Sequence, residues 1–275
     1  MDQTIIDQFL SSFPYTSATR NTYRSVLLLL IKYPKLKSIS ACDLLHFVDR
    51  PGWSNSTQYV SLVVCRRFLS WYYGLGHPAS TARIKRIQSK HQRSLTAAQA
   101  LELLASFDTS KPKGARDLAI AALALDTGLR LAELCRLTIP DLDLEKRTLQ
   151  VIVKGGQWSC AVFSPETGQY IREWLAYRRA KPDVKTVFTS TRSFRQLTRG
   201  GLRIIINNWG SSIGITLSPH DLRRSFATLA TIFGAPSRIV QVAGRWSNIS
   251  MVEHYTQDLD QVAITPYLPV SRLIR

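Results

Sequence analysis

The stretch His220-Asp221-Leu222-Arg223-Arg224-Ser225-Phe226-Ala227-Thr228 reads as one helix that begins just after Pro219. A histidine and an arginine three residues apart share one side of that helix. Arg223 has a planar fork that stays charged and suits a phosphate. His220 can move a proton near neutral pH. Alone, each has an ordinary reading as a surface charge or a capping histidine.

Working outward, similar phosphate-friendly residues recur in order. Downstream, Gly244-Arg245-Trp246-Ser247-Asn248 leads to His254-Tyr255. Trp246 offers one indole N–H donor. Tyr255 offers a hydroxyl able to act as a covalent nucleophile. Upstream, Thr127-Gly128-Leu129-Arg130-Leu131-Ala132-Glu133-Leu134 ends one helix at a glycine and opens another at Arg130. Between these boxes, Leu149, Val151 and Val153 alternate, Gly155-Gly156 turns the chain, and Trp158, Cys160 and Val162 alternate again. That pattern is a β-hairpin with Lys154 at its tip, and a lysine there can donate a proton to a leaving oxygen. Val187-Phe188-Thr189 reads as a third strand. Helices are expected over 97–107, 115–126, 165–180, 196–209, 219–233, 236–243 and 248–257.

The N-terminal part reads as helical. Tyr23, Val26, Leu27, Leu30 and Ile31 line one helical face, and Val60, Val63, Val64, Phe68, Trp71 and Tyr72 line another. Ser40 to Val48 forms a short helix stopped by Pro51-Gly52. The fold class is therefore mainly α with a small antiparallel β-sheet: a four-helix bundle followed by an α+β domain. The expected boundaries are 1–82 for the bundle, 83–94 for a basic linker and 95–275 for the second domain, with a tail over 258–275.

Charge names the partner class. The 275 residues carry a formal net charge of +17, an excess that points to a polyanion, nucleic acid before an anionic membrane. Residues 1–88 hold 11 Lys/Arg against 4 Asp and no Glu. Arg66 and Arg67 on the bundle, and Arg83, Lys85, Arg86, Lys90 and Arg93 along the linker, are candidate phosphate contacts. The longest aliphatic run, Val26 to Ile31, is too short to span a bilayer, and the N-terminus is not a signal peptide. The four cysteines lack metal-ligand spacing. Three of them lie in apolar runs and read as buried free thiols. The expected location is cytoplasmic, on the nucleoid.

Taken together, the four boxes resemble those of the tyrosine recombinase (phage integrase) family, in the family's order and over nearly the whole chain. The resemblance implies a core-binding bundle, SAM-like in fold, and a catalytic domain. It implies that Arg130 and Arg223 clamp the scissile phosphate, that His220 assists proton movement, and that Lys154 is the general acid. It further implies that Trp246 binds phosphate where most relatives have histidine, that Glu133 orients the site, and that Tyr255 forms a 3′-phosphotyrosine. The implied reaction needs no metal, cofactor or ATP, because the phosphotyrosyl bond conserves the energy of the ester. The implied partner is double-stranded DNA with inverted core half-sites, bound by a homotetramer on two duplexes that exchange strands through a Holliday junction. The bundle begins within a few residues of Met1, which implies a simple, Xer- or Cre-like type without an arm-binding domain. Two rivals share these residues: a type IB topoisomerase, and a silent DNA-binding protein with the same fold.

Overall fold

The computed structural model describes residues 3–34, 36–85, 87, 93–153 and 156–255, with the backbone alone for Met251, His254 and Tyr255. The predicted site residue Lys154, the side chain of Tyr255, Arg86, Lys90 and the tail 258–275 lie outside these described residues. Two compact units divide the chain, residues 1–90 and 91–275.

The first unit holds α1 (Gln3–Ser11), α2 (Ser17–Leu30), α3 (Ala41–Val48) and α4 (Asn55–Tyr73). Each start after the first is written locally. Thr16, Ser40 and Ser54 accept from the third residue onward, and Asp43 completes a capping box on Ser40. Gly74 ends α4 at φ 101°, a conformation that suits glycine. Ile6, Phe9, Leu27, Leu30, Leu44, Phe68 and Leu69 form the dry centre. The start of the segment expected to be a basic linker from residue 83 is hydrogen-bonded to this bundle. The Asn55 amide donates to Lys85 O at 3.1 Å and accepts from the Ile87 N–H at 2.7 Å.

The second unit holds α5 (Ala97–Ala105), α6 (Pro112–Thr127), α7 (Leu131–Arg136), β1 (Leu142–Asp143), β2 (Thr148–Ile152), β3 (Trp158–Val162), α8 (Pro165–Tyr177), α9 (Arg199–Ser212), α10 (Pro219–Ile232), α11 (Ser237–Gly244) and α12 (Ser250–Tyr255). The alanine-rich α6 is buried along almost its whole length, as a central helix must be when neighbours cover every face. Its end is tied to α8: Asp126 accepts from the Ser164 N–H (2.8 Å) and from the Ser164 and Thr167 hydroxyls (both 2.6 Å). The buried pair Arg116–Asp117, with the Trp209 indole N–H donating to Asp117 at 3.1 Å, joins α6 to α9.

Three expectations are corrected. The sheet has order β1-β2-β3, so its third strand is Leu142–Asp143, not Val187–Thr189. Val187 and Phe188 are fully buried, and their apolar run serves the core: Trp174 Nε1 donates to Val187 O at 2.9 Å, and Thr189 makes only an isolated bridge. Second, Leu149 and Val151 face the core opposite Ala161 and Ser159. That register turns Trp158, Cys160 and Val162 outward, because facing residues share one side of a sheet. Third, two cysteines are buried, not three: Cys65 and Cys135 are enclosed, while Cys42 and Cys160 are exposed.

Candidate active site

The site forms where the ends of α6 and α11 meet the start of α10. Gly128 closes α6 in the left-handed region at φ 58°. A Cβ there would sit 2.6 Å from the Phe226 ring, so this position has room only for glycine. Gly244 closes α11 under the Trp246 indole, whose Cζ3 would lie 1.8 Å from an added Cβ. These two glycines bring bare backbone to one place, and Arg223 uses both carbonyls. Its Nη1 donates to Gly128 O and its Nη2 to Gly244 O. Its guanidinium carbon lies 4.4 Å from the centroid of the Trp246 ring, a cation–π distance. Trp246 in turn stacks on Phe226 at 6.2 Å. Arg223 is 3% exposed, so its orientation is held from behind before any ligand arrives.

Arg130 follows Gly128 and Leu129 and stands at the N-cap of α7. Glu133, buried, grips it twice: Oε2 accepts the Arg130 main-chain N–H at 2.8 Å, and Oε1 accepts from Nη1 at 2.9 Å. The carboxylate thus fixes both the backbone and the fork. His220 stands one turn before Arg223, in a helix start capped by Ser218 and Asp221. Burial holds its pKa below the ordinary histidine value, helped by the charges of Arg224, Arg223 and Arg130 and opposed by Asp221. Neutral imidazole can then accept or relay a proton.

A single open cleft of about 470 Å³ is lined by Arg130, His220 and Arg223 together with Arg203 and Asn207. Three of the predicted residues, drawn from two separated boxes, therefore converge. Trp246 meets the cleft through Arg223, as the plate on which that guanidinium rests. The flanks of the hairpin turn are closed by Val153 N–H to Gln157 O at 2.8 Å and Gly156 N–H to Val153 O at 3.0 Å. Arg203 and Asn207 escaped the sequence reading. They lie at i and i+4 on α9 and share a face with Arg199, so the polar stripe of α9 was the available signal. The cleft has the means to hold a phosphodiester: two planar forks, further cationic charge and a neutral histidine around one opening.

The bundle's candidates are placed differently. Arg66 Nε (2.9 Å) and Arg83 Nη1 (2.7 Å) both donate to Ser80 O. Arg67 is exposed and lies over Phe13, 4.1 Å from the ring centroid. Lys85 and Arg93 are exposed.

A family model described as "Phage integrase family" matches residues 93–261. The chain belongs to the phage integrase family, the tyrosine recombinases. It is 29% identical to tyrosine recombinase XerD of Pasteurella multocida, with 93% of each chain covered. It is 30% identical to XerD of Haemophilus ducreyi, with 92% of each covered. A 31% identical match to tyrosine recombinase XerC of Actinobacillus pleuropneumoniae covers 66% of this chain and 59% of that relative. The fold is similar to that of the Tn1549 transposon integrase in complex with transposon right end DNA (TM-score 0.76, 18% identity, 99% of each chain). It is also similar to the XerH site-specific recombinase bound to its difH substrate (TM-score 0.70, 21% identity, 91% of this chain and 78% of that one). No helix among the described residues of this family member is long and apolar enough to cross a membrane.

Proposed function

We propose that this tyrosine recombinase cuts and rejoins DNA at a specific site through a 3′-phosphotyrosine. The observation that carries the reading is the convergence of Arg130, His220 and Arg223 on one open cleft. Arg130 and Arg223 hold the two non-bridging oxygens of the scissile phosphate. The Tyr255 oxygen attacks phosphorus as its proton passes to neutral His220, the bond to the 5′ oxygen breaks, and Lys154 gives that oxygen a proton. Trp246 supports Arg223 and adds its indole N–H. Neither the cleavage nor the rejoining draws on ATP, since one phosphoester replaces another.

Charge extends the contact along the duplex. Arg66, Arg67, Arg83, Lys85 and Arg93, with Arg86 and Lys90, neutralise backbone phosphates on either side of the cut. Two inverted half-sites seat two protomers, and two duplexes a tetramer, in which strands exchange through a Holliday junction.

The test begins with selection of a binding site from a random duplex pool. A nicked duplex bearing that site traps a covalent adduct with the wild-type protein, and Tyr255→Phe binds the duplex and forms none. An undiminished adduct with Tyr255→Phe would remove the tyrosine from its role. Relaxed supercoils without any joint product between two sites would make the protein a topoisomerase, and bound sites without an adduct would make it a silent binder.

A further inference from the structure

Arg245 is a non-glycine in the left-handed region, at φ 57° and ψ 45°, and it caps α11. Glycine is the usual residue for such a cap, because a Cβ there crowds the following carbonyl. A strained arginine persists when its side chain is tied down by its surroundings. That of Arg245 is 5% exposed. Its Nη2 donates to Thr127 O at 2.9 Å and stands 3.9 Å from Glu133 Oε2. Its Nη1 donates to Ala243 O at 2.9 Å. Thr127 adjoins Gly128, whose carbonyl holds Arg223, and Glu133 is the carboxylate that holds Arg130.

We infer that Arg245 is a positioning residue for the phosphate clamp, acting on Arg130 through Glu133. Two consequences follow from the geometry. Mechanically, Arg245 locks the segment carrying Trp246 to the segment carrying Arg130, across 118 residues of sequence. Electrostatically, Glu133 alone would offset the charge of Arg130. With a second guanidinium on the same buried carboxylate, the cluster keeps one net positive charge facing the cleft. A buried carboxylate held from two sides this way is kept in place. The side chain of Arg245 does not line the cleft, so its effect passes through its neighbours.

This inference rests on the cleavage reading above, and its test separates the two. The substrate is the nicked duplex carrying the selected site, made once with an ordinary scissile phosphate and once with a methylphosphonate. The methylphosphonate lacks the anionic oxygen that the clamp offsets. Arg245→Met keeps the stem but loses charge and donors, Arg245→Gly also relieves the left-handed backbone, and Arg245→Lys restores charge alone. On phosphate we expect Arg245→Met and Arg245→Gly to cut about 10–100-fold more slowly in a single turnover, a little less than for loss of a direct donor. Arg245→Lys recovers part of the loss. On methylphosphonate the deficit shrinks to about threefold or less, with duplex affinity unchanged. Arg245→Gly should also melt no lower than wild type, which separates positioning from mere support of the fold. Wild-type rates on phosphate for Arg245→Met and Arg245→Gly would overturn the inference while leaving the cleavage reading intact. So would equal losses on both substrates accompanied by a lower melting temperature. If the wild-type protein itself forms no adduct, the cleavage reading fails first.

Discussion

The two units of this chain use arginine in opposite ways. In the bundle, Arg67 lies exposed over Phe13, and Arg66 and Arg83 lean on the carbonyl of Ser80 from the surface. In the second unit Arg116, Arg223 and Arg245 have buried side chains: Arg116 pairs with its neighbour Asp117, while Arg223 and Arg245 are fastened to carbonyls from distant parts of the sequence. Under the proposed function, the difference separates binding from chemistry. A phosphate backbone is repetitive and tolerates a mobile cation, so surface arginines suffice to attract and register a duplex. A reacting phosphorus requires donors already aimed where charge develops, and aim comes from burial and fixed partners.

The largest expected effect breaks the comparison at its sharpest point. Arg223→Lys keeps the charge but cannot reach the carbonyls of Gly128 and Gly244 at once, nor stack as a plane on Trp246. Single-turnover cleavage should fall by about 10²–10³-fold with duplex binding nearly unchanged. A lysine that serves equally well would mean the second unit uses charge as the bundle does.

Next comes Gly244→Ala. Its Cβ has no space beneath Trp246, so the indole must leave Arg223 or the turn must shift. The expected cost is about 1–3 kcal/mol of stability, read as a lower melting temperature, together with slower cleavage. A wild-type melting temperature would show that the plate behind Arg223 is soft.

Arg67→Ala tests the other side. The slope of log affinity against log salt should fall by about 1, with the cleavage rate of bound duplex unchanged. A change in that rate would place part of the clamp's alignment in the bundle.

The smallest effect concerns His220. Its folded pKa lies below the unfolded value, so the unfolded chain takes up a proton first as pH falls. Stability contributed by neutral His220 is complete above the ordinary histidine range and declines as pH drops through it. Nuclear magnetic resonance titration of the free protein should place the His220 midpoint below about 6.5, and a bound phosphate should move it upward. A midpoint above the ordinary value would mean that neither burial nor the cleft's arginines govern His220.

Much of the fold was legible because its signals are local. Thr96 caps one helix start, the glycines at 74 and 128 mark helix ends, and apolar periodicity marks the faces between. The misreadings share a cause. Val187-Phe188-Thr189 has strand composition, but its burial comes from Trp174 and the core, while the true third strand, Leu142–Asp143, is too short to show alternation. β3 carries one apolar residue set and one small residue set, and only pairing with β2 decided that Ala161, not Trp158, faces inward. Arg203 entered the cleft because α9 packs where it does, which periodicity alone does not state.

The sequence by itself determined the order of the boxes, the helices that carry them, the excess of positive charge and the residue types that meet a phosphate. Tertiary structure alone decided how they are held. Arg223 finds its carbonyls 95 and 21 residues away, and Arg245 reaches Thr127 across 118. Hydrogen bonds over such separations leave no periodic trace in the chain, because they depend on where two glycine-ended helices come to rest against α10.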